Sequence, residues 1–363
     1  MKKLFRYFVV VVIVVAVAVF VITRLPKNNN SAGTKNSQTS ENNYVVSTEG
    51  DGSLNIYFLN VGQGDCSIIV FPDNKTMIID SGNNYSSNEK KISEFTNKLN
   101  IDTFDYLLLT HADADHVGCM DYVLENYIVK HVFRPNVLST YKDAKNLKEG
   151  INVGFTDKEG GKTSGSLTYY QFLFALQNEE DCVDEIFNKD SDFSGAYSDG
   201  EKVFEYKFDF LTPTAYPTAV KFTNANDYSP ICTLTYNGVT VLFTGDAEAA
   251  MENQFLSYYS TYPDCDVLKV GHHGSESSSS QAFLNAVKPE FAVIQCAVEN
   301  SYKHPRQLIL DRLRAMNTTV FRNDNNGDIT FAVTCSEGYA VTADKFLCAV
   351  PDLSKNYIGG DAV

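Results

Sequence analysis

Apolar residues fall along this chain in short, regularly interrupted runs, and the spacing inside each run predicts the element it forms. Leu54-Asn55-Ile56-Tyr57-Phe58-Leu59 alternates with a period of two, as a half-buried strand requires, and Gly62-Gln63-Gly64-Asp65 ends it. Residues 66–71 and 76–79 are apolar runs joined by Pro72-Asp73-Asn74-Lys75, which predicts a hairpin. Ile92, Phe95 and Leu99 recur at helical spacing, so 88–99 reads as a helix with one apolar stripe. The compact run Tyr106-Leu107-Leu108-Leu109 reads as a short buried strand, and 119–127 as a helix.

Further along, residues 231–236 and 239–243 flank Asn237-Gly238, a pair that tolerates positive φ and therefore marks a tight hairpin. Helices are predicted over 248–259 and 307–316, and strands over 267–270, 291–295 and 331–334. Each half opens with hairpins and passes to strand–helix alternation. That order predicts an α/β protein with two sheets face to face and helices outside. No sequence repeat is strong enough to prove symmetry between the halves.

Residues 139–206 have another character. Gly160-Gly161, Ser164-Gly165-Ser166 and the acidic Glu179-Glu180-Asp181 surround a predicted helix over 167–176. The segment reads as an insertion, either a substrate-selecting element or a solvated embellishment.

The first 25 residues stand apart. Lys2, Lys3 and Arg6 precede an unbroken apolar run from Val9 to Ile22, the layout of an export signal. Ala16-Val17-Ala18 lies inside that run rather than after it, which favours an uncleaved anchor over a cleaved signal peptide. The charge bias puts the rest of the chain outside, as a single-pass membrane protein or, if cleaved, a secreted one. Residues 26–52, rich in Asn, Ser and Thr, read as a flexible linker. One large domain is expected over 53–350, and a tail over 351–363.

A net charge of −15 over 363 residues argues against a broad basic grip on polyanions. The eight cysteines are scattered with no CxxC spacing, and no disulfide pairing is assigned.

Candidate chemistry gathers at the strand ends. Of six histidines, His111, His116, His272 and His273 directly follow apolar strand-like runs, and His304 lies in Asn300-Ser301-Tyr302-Lys303-His304-Pro305 after another. His131 is expected to be structural or exposed. Thr110-His111-Ala112-Asp113-Ala114-Asp115-His116 packs two imidazoles and two carboxylates into six residues. Thr244-Gly245-Asp246 and Gly271-His272-His273-Gly274 follow in order at later strand ends. Strand ends hold side chains at fixed distances, and neutral imidazole with carboxylate suits a hydrolytic zinc or manganese centre.

The series LNVGQGDC (59–66), IIDSG (78–82), THADADHVG (110–118), LFTGDAE (242–248) and LKVGHHGS (268–275) resembles the metallo-β-lactamase-fold hydrolases. Within them it resembles the branch found at the end of the DNA-uptake channel protein ComEC. The resemblance implies a four-layer αββα sandwich with one or two metal ions at the sheet edges. It implies His111 and Asp113 as ligands of a first metal, Asp115 and His116 of a second, and Asp246 as the carboxylate between them. His272 or His273 would complete the second site, Asp80 would support it from behind, and Gln63-Gly64-Asp65 would form the turn beneath. Asp113 stands where most of the wider superfamily has His, and no histidine lies between His131 and His272. Asp227, in Asn226-Asp227-Tyr228-Ser229, is the nearest substitute ligand.

The expected cofactor is Zn2+, one or two ions, with Mn2+ as the alternative. The expected reaction is hydrolysis of a phosphodiester by metal-activated hydroxide, oriented by Asp113 or Asp246, with His273 (or His272) or His304 moving the proton. The substrate expected is a phosphoester in extracellular DNA or a cell-surface polymer, with no obligate protein partner and with membrane contact through the N-terminal segment. Other ester, amide or lactam hydrolysis and a non-enzymatic surface-binding module are the alternatives.

Overall fold

The computed structural model describes residues 46–213, 222–260, 262, 264–335 and 338–343. The expected anchor over 1–25, the linker up to residue 45 and the tail over 351–363 lie outside the described residues. Among the described residues no helix is long and apolar enough to cross a membrane.

Strands β1 (Val46–Ser47), β2 (Leu54–Phe58), β3 (Ser67–Val70) and β4 (Thr76–Ile79) lead into helix α1 (Ser86–Leu99). The chain continues through β5 (Thr103–Phe104), β6 (Tyr106–Leu108), α2 (Ala114–Val117), α3 (Met120–Asn126), β7 (Ile128–Val129) and β8 (His131–Arg134). Helix α4 (Leu167–Leu176) precedes β9 (Val183–Ile186), β10 (Phe193–Ser198), β11 (Val203–Phe210), β12 (Cys232–Tyr236) and β13 (Val239–Phe243). Then come α5 (Ala249–Tyr258), β14 (Val267–Lys269), α6 (Gln281–Val287), β15 (Phe291–Ile294), α7 (Gln307–Ala315) and β16 (Thr319–Arg322). The short helix α8 (Asn323–Asn326) leads to β17 (Ile329–Thr334) and β18 (Gly338–Ala343).

Two eight-stranded sheets form, one in the order β18-β17-β2-β3-β4-β6-β8-β9 and the other β1-β10-β11-β12-β13-β14-β15-β16. The alternation of β2 turns Leu54, Ile56 and Phe58 inward, where they meet Phe208, Leu234, Phe243 and Phe331 between the sheets. Tyr57 points outward against Phe95 of α1, with ring centroids 4.9 Å apart. Outside the first sheet, Ile92, Met120, Val123 and Phe172 cover Ile78 and Leu107. Outside the second, Phe255, Leu284 and Leu313 cover Leu242, Leu268 and Ala292. Each such large side chain contributes about 1.5–3 kcal/mol by leaving water, so the cores between and outside the sheets hold the layers in register. The result is the four-layer αββα arrangement expected from the sequence.

Residues 139–206, read from sequence as an insertion, supply core as well as surface. Helix α4 buries Tyr169, Phe172 and Leu173 in the outer core, β9 extends the first sheet beside β8, and β10 with β11 extends the second. Their apolar residues close the far ends of both sheets, so this segment is part of the scaffold. His131 opens β8, stacks on Phe133 and meets Glu185 of β9 at 2.9 Å.

Candidate metal centre

Parallel strands β4 and β6 end side by side, and the loops that leave them carry the first half of the site. After β4, Asp80 accepts hydrogen bonds from the Thr110 backbone N–H (2.9 Å) and hydroxyl (2.7 Å), and its Oδ2 lies 2.7 Å from His116 Nδ1. Asp80 thus occupies one edge of the His116 ring. The other edge, Nε2, turns to Asp246 Oδ1 at 3.2 Å. Beneath the loop, Gly64 at φ +142° allows a close approach, since a Cβ there would stand 2.4 Å from the Asp115 carbonyl oxygen.

Asp246 leaves β13 after Gly245, whose φ is +48° and whose Cβ would lie 2.9 Å from both Ser229 and Thr110 side-chain atoms. Only glycine lets these loops meet. The Ser229 hydroxyl accepts from the Asp246 backbone N–H at 3.0 Å and lies 3.2 Å from His111 Nδ1, tying both halves together.

His272 and His273 follow β14 with φ of +47° and +52°, left-handed backbone at two successive non-glycine residues. Such conformations cost on the order of 1–3 kcal/mol each, and here they aim the two rings in different directions. His273 is buried, and its Nδ1 lies 2.8 Å from the Gln295 carbonyl oxygen, which can only accept. Nδ1 is therefore the protonated nitrogen, and Nε2 faces Asp115 Oδ2 (3.3 Å) and Asp246 Oδ2 (3.4 Å). His272 is partly exposed; Glu248 Oε1 holds its Nδ1 at 3.0 Å, and its Nε2 lies 3.7 Å from Asp246 Oδ2.

Asp65, His116, Asp246 and His273 are buried and have ligand-type atoms all within 4.8 Å of one another. Asp65 belongs to the back of this group. It is ion-paired to Lys269 and faces Nδ1 of His273 (3.2 Å) and of His116 (3.9 Å), the edges turned away from Asp246. The atoms that could share one cation are His116 Nε2, His273 Nε2 and the carboxylates of Asp115 and Asp246. Beside them, His111 Nε2 lies 3.8 Å from Asp113 Oδ2, with the His111 and His116 rings 4.2 Å apart, a pair that could hold a second.

The donors fit a cation. His111 Nε2, His116 Nε2, His273 Nε2 and Asp246 Oδ1 are buried and make no hydrogen bond of good geometry with the described residues. Each such atom costs about 1–3 kcal/mol if left unsatisfied, and their convergence on one space is what a metal would satisfy. Nitrogen and carboxylate oxygen without thiolate suit zinc, manganese or iron, and Asp80 and the Gln295 carbonyl orient the imidazoles in the usual way of metal sites.

Charge follows the same geometry. Burial pushes His273 down, but Asp246, Asp65 and Asp115 outweigh it and hold the imidazole up at about 10. Burial likewise disfavours the His116 cation, and Asp246 and Asp80 raise it well above its ordinary value. Burial would raise Asp246, yet His116 and His273 keep it well below the usual carboxylate range. A cation held here displaces those imidazole protons, so its affinity rises with pH. Burial, with His116 beside it, lowers His111 to about 4, leaving it neutral and ready to donate a lone pair.

The remaining expected residues fall into place differently. Asp227 does not face the site: its Oδ1 accepts from the Glu248 (3.1 Å) and Met251 (3.4 Å) backbone N–H groups at the start of α5. His304 is held by Asn300, which binds its backbone on both sides, and its ring lies 5.3 Å from His272 and 6.5 Å from His273. Burial, with His272 and His273 nearby, lowers His304 to about 4, so at neutral pH its imidazole is uncharged. Ser229, Glu248, Lys269 and Gln295 were missed by the sequence reading. Of these only Lys269, a charge inside the apolar run Val267-Leu268-Lys269-Val270, carried a signal.

The loop geometry gives one direct test. Gly118 follows α2, and a Cβ there would stand 2.2 Å from the Asn84 backbone nitrogen and 2.4 Å from the Gly82 oxygen. Gly118→Ala is expected to cost about 1–3 kcal/mol by overpacking. Chemical denaturation reads this as a lower midpoint at unchanged slope; an unchanged midpoint would show that the two loops are not in contact.

Residues 59–160 match the model of the metallo-beta-lactamase superfamily. The chain is 28% identical over 302 residues to ComE operon protein 3 of Bacillus subtilis (strain 168), covering 79% of this chain and 33% of that protein. It is 26% identical over 276 residues to competence protein ComA of Neisseria gonorrhoeae, covering 76% and 31%. It therefore spans about a third of the length of these curated relatives. Among solved structures it is similar to a metal-dependent hydrolase of the beta-lactamase superfamily, at 14% identity and a TM-score of 0.40, covering 74% of this chain and 95% of that one. The chain carries a metallo-beta-lactamase domain, and its homologues include competence proteins of the ComEC type.

Proposed function

We propose that this protein is a phosphodiesterase that works with one or two zinc ions, manganese being the alternative, on a phosphodiester polymer such as DNA outside the cell. The observation that carries the reading is the convergence of buried, unbonded Nε2 and carboxylate atoms from His116, His273 and Asp246 at the ends of three strands. His116, His273, Asp115 and Asp246 would hold one ion, and His111 and Asp113, with Asp246 between, a second. A divalent ion there supplies a Lewis acid for phosphoryl oxygens and brings water towards ionisation at neutral pH. Asp80 and the Gln295 carbonyl keep the rings in place. Because His273 is committed to the buried set, His272 is the imidazole left to move a proton at the leaving oxygen, with Glu248 orienting it. The apolar run from Val9 to Ile22 supports attachment to the membrane, with the domain outside.

The test is turnover of bis(p-nitrophenyl) phosphate by protein stripped with a chelator and reloaded with zinc or manganese. Restoration by metal supports the reading; a fully loaded protein that leaves this ester intact turns the search to other esters, amides or lactams. The two neighbouring histidines separate binding from chemistry. His273→Ala is expected to lose bound metal, whereas His272→Ala keeps its metal and loses about 10²–10⁴-fold in kcat, the usual range for a proton-transfer group. Equal metal loss in both variants would overturn that division.

A further inference from the structure

Beside the metal loop the surface opens into a cleft of about 210 Å³, lined on one wall by Ala112, Asp113 and Ala114 and on the other by residues 162–166. Its volume is below the roughly 300–1,000 Å³ of sites that enclose a whole drug-sized ligand, so it suits one group of a larger substrate. Asp113 and Lys162 are the charged residues that line it. The Lys162 side chain is exposed and makes no ion pair with the described residues. In a chain of net charge −15, an unpaired ammonium at the mouth of the site is a local exception to the general repulsion of anions.

The wall that carries Lys162 is fixed rather than loose. The Lys162 backbone N–H donates to the buried Tyr228 hydroxyl at 3.1 Å, from the turn that also carries Asn226 of the Glu248–His272 group. Gly161 is pressed against Phe155, where a Cβ would stand 2.4 Å from the Phe155 Cβ. Thr163 donates through its N–H (3.1 Å) and hydroxyl (3.2 Å) to Asp157, and Ser166 accepts from Tyr169 N–H at 3.0 Å. The backbone under Lys162 is thus pinned on both sides, while its side chain stays free at the lip of the cleft.

We propose that this cleft is a subsite for the phosphate that flanks the scissile one in a single-stranded oligonucleotide, with Lys162 as its binding cation. The proposal rests on the phosphodiesterase reading for its substrate class, and it assigns specificity to a segment outside the metal motifs. A minimal diester with one phosphate has nothing to place there, whereas an oligonucleotide presents a second phosphate next to the bond that is cut. Losing this charge-assisted contact should weaken oligonucleotide binding by about tenfold at low salt.

The experiment uses the full-length, metal-loaded protein and its Lys162→Ala and Lys162→Arg variants. Binding of a fluorescently labelled thymidine trinucleotide with phosphorothioate linkages is measured by anisotropy at several salt concentrations, beside turnover of bis(p-nitrophenyl) phosphate. The expected result is about tenfold weaker trinucleotide binding by Lys162→Ala and a salt slope shallower by about 0.7, with Lys162→Arg near wild type. Metal content and turnover of the one-phosphate ester should stay within twofold. Equal binding by wild type and Lys162→Ala, or no trinucleotide binding by wild type, overturns the subsite. Trinucleotide binding that depends on Lys162 without hydrolysis of any diester would keep the cleft as a phosphate-binding site with Lys162 as its cation and remove the phosphodiesterase reading.

Discussion

Asp246→Ala is expected to release the metal and to lower turnover by more than about a hundredfold, because residues that merely support metal ligands already cost about 10–100-fold when removed. Asp246 does more than support: its two oxygens face His116 Nε2 (3.2 Å), His273 Nε2 (3.4 Å) and His272 Nε2 (3.7 Å). Neither carboxylate behind the rings can take its place. Asp65 lies behind the rings and is engaged by Lys269, and Asp80 is saturated by Thr110 and His116.

The same substitution has a signature in metal-free protein. His116 and His273 are held above their ordinary values chiefly against burial by Asp246. A raised folded value contributes stability that is present in full below the unfolded value near 6.5 and fades as pH rises through the folded one, about 10 for His273. Removing Asp246 takes that contribution away. The variant should therefore lose most stability at pH 6 and below and approach wild type at high pH. Metal analysis, turnover and denaturation midpoints across pH check all three effects. A variant that keeps its metal and its rate would remove Asp246 from the centre.

Much of this was open to reading because the chemistry lies where local patterns are plain. His111, Asp246, His272 and His273 come shortly after short apolar runs, and β6, β13 and β14 form close to where those runs predict. The choice between His272 and His273 was not legible. It depends on two left-handed residues and on the carbonyl of Gln295, just after β15 and 22 residues beyond His273. Strand β9 was also hidden, since Val183–Ile186 carries Asp184 and Glu185. It forms where Asp184 accepts from Nε and Nη2 of Arg134 (2.6 and 2.8 Å) and Glu185 meets His131. Strand β11 is a different kind of miss. Phe204, Tyr206, Phe208 and Phe210 alternate with Glu205, Lys207 and Asp209 as clearly as any strand in the chain, and the supposed insertion boundary obscured it.

Lys269→Met is expected to destabilise metal-free protein by up to about 3 kcal/mol, because the buried Asp65 loses its direct partner and keeps only the His273 and His116 imidazoles. Lys269 is almost fully buried, donates to the Gly245 carbonyl at 2.9 Å, pairs with Asp65 and lies 3.8 Å from Asp246 Oδ1. Burial raises Asp65, but Lys269, His273 and His116 together bring it below its ordinary value. A depressed folded value contributes stability above the unfolded value near 4, and that stability is lost as pH falls through the folded one. Lys269→Met should accordingly be most damaging at neutral pH and lose its effect in strong acid, where Asp65 is protonated in both proteins. The double variant with Asp65→Asn removes both charges and should recover most of the loss, because no uncompensated carboxylate is left. Denaturation midpoints of the four proteins in this cycle give the coupling directly. If the double variant is no more stable than Lys269→Met alone, the lysine acts through the Gly245 carbonyl and the Asp246 loop rather than through Asp65, and the turn beneath the metal site has another support.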